Sequence, residues 1–73
     1  MLDPYENLAN AIILRAVQDY RIALKKIKKH PNDVLIQARI RECERFFLSQ
    51  WFIELTNLDG KMLLKKLKEE AGA

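Results

Sequence analysis

The chain has 73 residues, 49% of them hydrophobic and 32% charged, with a net charge of +3. That length allows one domain over residues 1–73, which on folding buries only about 60% of the surface exposed by the unfolded chain. One cysteine and one histidine exclude an intrachain disulfide and a zinc set, and a mild positive charge permits a polyanionic partner without requiring one.

Two glycines and two prolines leave few turns, and the good helix formers dominate, so an all-α chain is expected. The predicted architecture is a small bundle: a long N-terminal helix, a second helix and one or two shorter C-terminal helices. Asp3-Pro4-Tyr5-Glu6 predicts the first helix start. Asp3 is the cap, Pro4 suits the first helical position and Glu6 stands three residues after the cap. The helix is expected to end near Lys29. Lys25, Lys26, Lys28 and Lys29 meet the negative end of its dipole, and Pro31 stops it. Tyr5, Leu8, Ala9, Ile12, Ile13, Ala16, Val17, Tyr20, Ala23, Leu24 and Ile27 repeat at helical spacing as one apolar stripe.

Leu14, Gln18 and Ile22 fall on the opposite side. Two aliphatics there read equally as surface scatter or as an oligomer contact. Length bears on this choice. Some 26 residues make a helix of ~39 Å, whereas a globule of this size is only about 29 Å across. The helix therefore overhangs its own domain or packs against another copy, and a homo-oligomer is expected.

Asn32 or Asp33 caps a second helix running to about Leu48. Ile36, Ile40, Cys43 and Phe47 form its stripe, with Leu35 and Phe46 on the flank. Its charges predict pairs one turn apart, Arg41–Glu44 and Glu42–Arg45. Ser49 can cap a short third helix carrying Trp51, Phe52 and Leu55, or the second helix continues through it with a kink. Thr56-Asn57-Leu58-Asp59 resembles another cap, so the last helix is expected from about Asn57 to Glu70, with Gly72 and Ala73 frayed. Leu63, Leu64, Leu67 and Ala71 share a face with Gly60, which marks the close approach of another backbone.

No catalytic set, metal site or cofactor motif is apparent, and a non-enzyme is expected. A nucleophile needs a base within reach. Cys43 lies on an apolar stripe, where cysteine behaves as a small hydrophobe, and His30 sits at a helix end. Asp19 has Arg15 one turn earlier as an ion-pair partner. The groups suited to a polar anion are Tyr5, Asn7, Asn10, Arg15, Arg45 and Trp51, in a pocket between subunits, although core packing explains Tyr5 and Trp51 individually. The alternative is DNA binding. Arg21, Lys25 and Lys28 belong to a cluster unopposed by nearby acids in the sequence, and Lys65 and Lys68 belong to a second. Leu55–Leu67 loosely resembles a helix-turn-helix with Gly60 at the turn. No basic leader followed by an apolar run and no membrane-length apolar run is found, so a cytoplasmic location is expected.

Four strings are distinctive: residues 5–12 (Tyr5-Glu6-Asn7-Leu8-Ala9-Asn10-Ala11-Ile12), 16–21 (Ala16-Val17-Gln18-Asp19-Tyr20-Arg21), 44–49 (Glu44-Arg45-Phe46-Phe47-Leu48-Ser49), and Trp51-Phe52 with Leu55-Thr56-Asn57-Leu58-Asp59-Gly60. On these, and over nearly its full length, the chain resembles an uncharacterised family of small proteins encoded by phages and prophages of Gram-positive bacteria. The strings carry no known chemistry. The resemblance implies an accessory protein of the host cytoplasm that acts by binding. Such a protein would block a host defence protein such as a CRISPR nuclease, or sequester a nucleotide-like signal. Transcriptional regulation and a part in virion or replication-complex assembly are the other roles this setting implies.

Overall fold

A computed structural model describes residues 4–72, with side chains from Leu8 onward. Four helices follow one another: α1 (Pro4–Lys29), α2 (Val34–Phe47), α3 (Gln50–Leu55) and α4 (Gly60–Gly72). No strand occurs among the described residues, and the fold is the small all-α bundle that the sequence predicts. The expected Asp3 cap lies outside the described residues, as do the side chains of Tyr5, Glu6 and Asn7.

Local chemistry sets the breaks. Asp33 caps α2, its Oδ1 accepting from the backbone N–H groups of Leu35 (2.9 Å) and Ile36 (3.2 Å). Ser49 separates α2 from α3 by serving both. Its hydroxyl donates to the Phe46 carbonyl (2.6 Å) and accepts from the Phe52 N–H (3.2 Å). The chain therefore breaks at Leu48–Ser49, and α2 does not continue with a kink. The start of α4 differs from expectation. Asp59, not Thr56 or Asn57, is the cap, accepting from the N–H groups of Lys61 (3.0 Å) and Met62 (3.2 Å). The Thr56 hydroxyl instead accepts from Leu58 in a local turn (3.3 Å). At the other end α4 extends to Gly72, two residues past the expected Glu70.

α1 and α2 run antiparallel. Ala23 and Lys26 share a groove with Leu35 and Ile36, while Tyr20 reaches Glu44 and Phe47 further along. α4 packs against both. The core is Ile13, Tyr20, Cys43, Phe47, Phe52, Leu64 and Leu67, with Ala16, Val17, Leu24, Ile40, Phe46, Leu55 and Leu63 packed around it. These are the stripes that helical periodicity picks out. Leu8 is the exception on α1. It stands on the predicted stripe but is largely exposed, because the start of the helix extends past its partners. The molecule is 42 × 23 × 21 Å with a radius of gyration of 13.1 Å, longer than the ~11 Å of a compact chain this size. The long axis matches the ~39 Å of a 26-residue helix.

Polar groups brace the bundle mainly across helices. The Tyr20 hydroxyl, on a fully buried ring, donates to Glu44 Oε2 (2.8 Å), and Lys68 Nζ lies 3.3 Å from the same oxygen. Arg21 pairs with Glu70 at 3.1 Å. The predicted Arg41–Glu44 and Glu42–Arg45 pairs are not formed. Glu44 turns to Tyr20 and Lys68, partners that helical spacing within α2 cannot reveal. Arg15 and Asp19 do pair, at 3.5 Å.

Two expected outcomes follow from this packing. A Cβ built at Gly60 would overlap the carbonyl oxygen of Phe47 and stand 3.0 Å from its carbon. At an unconstrained helix position Gly→Ala stabilises; here Gly60→Ala should destabilise by about 1–3 kcal/mol, as overpacking does, measured by urea unfolding. Burial, then the hydrogen bond and charge of Glu44, then Cys43, push the Tyr20 hydroxyl well above its ordinary pKa of 10.0. The folded chain thus holds this proton more tightly than the unfolded chain. Its stabilising share is complete below pH 10.0 and is lost as pH rises toward the folded value. Tyr20→Phe should cost about 1–3 kcal/mol near neutral pH, and the gap to wild type should narrow in alkaline denaturation curves.

Candidate functional site

Cys43 and His30, the two candidate nucleophile and base residues, stand in different surroundings. Cys43 is buried in the core. Burial, with the charge of Asp19 adding and that of Arg39 opposing, pushes its thiol up, away from the thiolate that a nucleophile requires. His30 is exposed in the turn after α1, where its backbone N–H continues the helix to the Lys26 carbonyl (3.0 Å) and its carbonyl accepts from Asp33 (3.1 Å). Among the described residues no three His, Cys, Asp or Glu side chains converge to hold a metal ion. No described helix is long and apolar enough to cross a membrane.

The anion-binding group is not gathered in one place. Tyr5 and Asn7 carry side chains outside the described residues. Asn10 and Arg15 are both exposed on α1. Five residues apart, they point about 140° away from each other around a helix of 3.6 residues per turn, and Arg15 is already engaged by Asp19. Arg45 and Trp51 do meet. With Phe46, Ser49 and Glu42 they line an open hollow of about 340 Å³. Core packing does not account for Trp51, which is 55% exposed and rests its ring edge-on against Phe46 at 5.6 Å. An indole face beside a guanidinium suits a planar partner. Glu42 in the same hollow opposes an anion, because its charge offsets that of Arg45.

Leu14, Gln18 and Ile22 follow one another at four-residue spacing along the outer side of α1 and are all exposed, Leu14 by 56% and Ile22 by 51%. Ile22 also borders the groove between α1 and α2. That groove holds Ala23, Leu35 and Ile36, with Lys26, Arg39 and Asp19 at its edges, and its volume is about 190 Å³. Leu35, 82% exposed, projects from α2 on this side.

The basic stretches differ from their reading in sequence. Arg21, Lys25 and Lys28 share one side of α1, and Lys65 and Lys68 stand on α4. Glu70 arrives from α4 to pair with Arg21, and Glu44 from α2 to pair with Lys68. The α1 cluster is therefore opposed by an acid 49 residues away in sequence. Gly60 is the first residue of α4 rather than a turn between two helices of a helix-turn-helix.

Periodicity alone misses one surface. Leu48, Ile53, Leu58 and Met62 are all more than half exposed and surround adjoining hollows beside the α2–α3 break and the start of α4. Their signal in the sequence is that they fall off the apolar stripes or between helices. No family model, curated protein or solved structure matches the chain.

Proposed function

We propose that the protein is a non-catalytic binding protein that acts by docking on another protein. In the setting implied by its resemblance to small phage proteins, that partner is a component of host defence in the host cytoplasm, such as a CRISPR nuclease. One observation carries the reading. The core closes on itself with no described buried side-chain nitrogen or oxygen lacking a partner, yet ten large apolar side chains among the described residues remain more than half exposed. Folding does not require these side chains in water. Scattered singly they would mean little, but many border the same few concavities, which is the mark of an interaction surface.

Size favours a protein partner over a nucleotide-like signal. Ligand pockets of about 300–1,000 Å³ enclose most of their ligand. The α1–α2 groove is smaller, at about 190 Å³, and the Trp51 hollow, at about 340 Å³, is open and carries Glu42. A nucleotide would need walls supplied by a second copy. The outer face of α1, with Leu14, Gln18 and Ile22, is where we place a homo-oligomer contact. Support comes from the two half-exposed aliphatics and from a long axis of 42 Å against widths of 23 and 21 Å. DNA binding is the second reading, resting on Lys25, Lys28 and Lys65. It is weakened by the pairing of Arg21 with Glu70 and of Lys68 with Glu44.

Four measurements test these readings. Added in stoichiometric amounts, the protein should abolish cleavage by a purified CRISPR nuclease. Unchanged cleavage, together with no heat on titration with cyclic nucleotides, would count against a role in defence. Light scattering should give at least twice the chain mass, falling to one with Leu14→Glu and Ile22→Glu combined; a monomeric wild type rejects the α1 contact. Filter binding to duplex DNA should be weak at about 50 mM salt and unchanged by Lys25→Glu. Tight binding that falls steeply with salt would reverse the order of the two readings.

A further inference from the structure

We propose that the surface formed by the α2–α3 break and the start of α4 is the docking site for an acidic amphipathic helix of a partner protein. This rests on the binding-protein reading and adds the surface and the chemistry of what it takes. Two adjoining hollows, of about 220 and 140 Å³, share Leu58 and Asp59. Leu48 and Ile53 border the first, Met62 the second, and all four apolar side chains are more than half exposed. Such a row offers shallow seats for apolar side chains that recur every three or four residues on a helix.

Charge decides which helix fits. Lys61 lines one hollow and Lys66 the other, and neither is in an ion pair with a described carboxylate. Two lysines stand against a single carboxylate in the lining, Asp59, whose Oδ1 accepts from the backbone N–H groups of Lys61 and Met62 at the cap of α4. The rim is therefore cationic around an apolar floor. A partner segment with carboxylates flanking its apolar stripe complements it, and a basic amphipathic helix is repelled. The site is also fixed in place. Gly60, which lines the larger hollow, lets α4 approach the Phe47 backbone, and that hollow lies along the seam this creates, with the smaller one adjoining it through Leu58 and Asp59.

The test uses a labelled helical peptide of about 18 residues with leucines at positions i, i+3, i+4 and i+7 and glutamates beside them. A second peptide replaces every glutamate with lysine. The acidic peptide should bind the full chain at least about tenfold more tightly than the basic one. Its NMR shift changes should centre on Ile53, Leu58 and Met62. Leu58→Glu with Met62→Glu should abolish binding with the helical circular dichroism unchanged, which separates docking from folding. Lys61→Glu with Lys66→Glu should invert the preference between the peptides. Equal affinity for both peptides, no binding, or shifts confined to the Ile22–Leu35 groove would overturn the proposal. Self-association that Leu58→Glu abolishes would also overturn it, since a second copy would then be the occupant. None of these results touches the wider binding reading, which stands or falls on the nuclease and nucleotide titrations.

Discussion

The bundle depends on one residue at which all four helices meet. Phe47 ends α2 and is almost wholly buried. Its ring stands edge-on to Tyr20 of α1 at 6.1 Å and to Phe52 of α3 at 5.5 Å, and its backbone carbonyl is the surface against which Gly60 of α4 packs. Burying a phenylalanine is worth about 1.5–3 kcal/mol, and each well-oriented ring pair adds about 0.5–1.5 kcal/mol. In a small domain whose net stability is about 5–15 kcal/mol, one such hub is a large fraction of the whole. It also explains the break that follows. α2 must stop for the chain to fold back and bring Phe52 onto Phe47, and Ser49 stops it while leaving neither the Phe46 carbonyl nor the Phe52 N–H unpaired.

Around this hub the cross-helix polar contacts fix direction more than they add stability. Arg21 and Glu70 are both about half exposed, and such a pair contributes at most ~1 kcal/mol. Glu44 is more sheltered. It holds the hydroxyl of a buried tyrosine, a group that would be costly to leave unpaired. These contacts also consume charge. By drawing Glu70 and Glu44 across to Arg21 and Lys68, the fold removes cations from the two stretches that look most like phosphate contacts in sequence. Arg21 and Lys68 thus serve assembly of the bundle, and Lys61 and Lys66, beside an apolar surface, are among the cations left outside these pairs.

What was legible in the sequence follows the range of the interaction concerned. Helical stripes are local, and the buried positions Ile13, Tyr20, Cys43, Phe47, Leu64 and Leu67 all lie on them. Caps are local as well: the sequence narrows the α2 cap to Asn32 or Asp33 and offers Ser49 as a cap or a kink, and the structure selects Asp33 and the Ser49 cap. The start of α4 was not readable, because Thr56, Asn57 and Asp59 all have cap chemistry. The requirement that Gly60 meet Phe47 is a tertiary fact. The partners of Glu44 were invisible for the same reason, since spacing within α2 offers only Arg41. Trp51 shows the limit of composition: a tryptophan is expected inside, yet one turn of α3 can bury only one of two neighbouring rings against Phe47. Phe52 takes that place and Trp51 is left on Phe46 at the surface.

That competition between neighbouring rings applies to the whole surface. Six residues of α3 and thirteen of α4 are too few to cover both ends of a helix that spans the 42 Å length of the molecule. The bundle closes where Phe47 gathers the helices, and apolar side chains outside that closure stay in water: Leu8 toward the start of α1, Leu35 at the α1–α2 groove, and Leu48, Ile53, Leu58 and Met62 around the hollows on the outer side of the hub. A chain selected only to fold could replace these residues with polar ones at little cost, since none of them is in the core. Seven of the exposed apolar side chains, Ile22, Leu35, Leu48, Trp51, Ile53, Leu58 and Met62, line concave surface between or beside the helices, and Lys61 and Lys66 stand beside one such surface, so the apolar surplus is gathered at the places where the bundle leaves hollows.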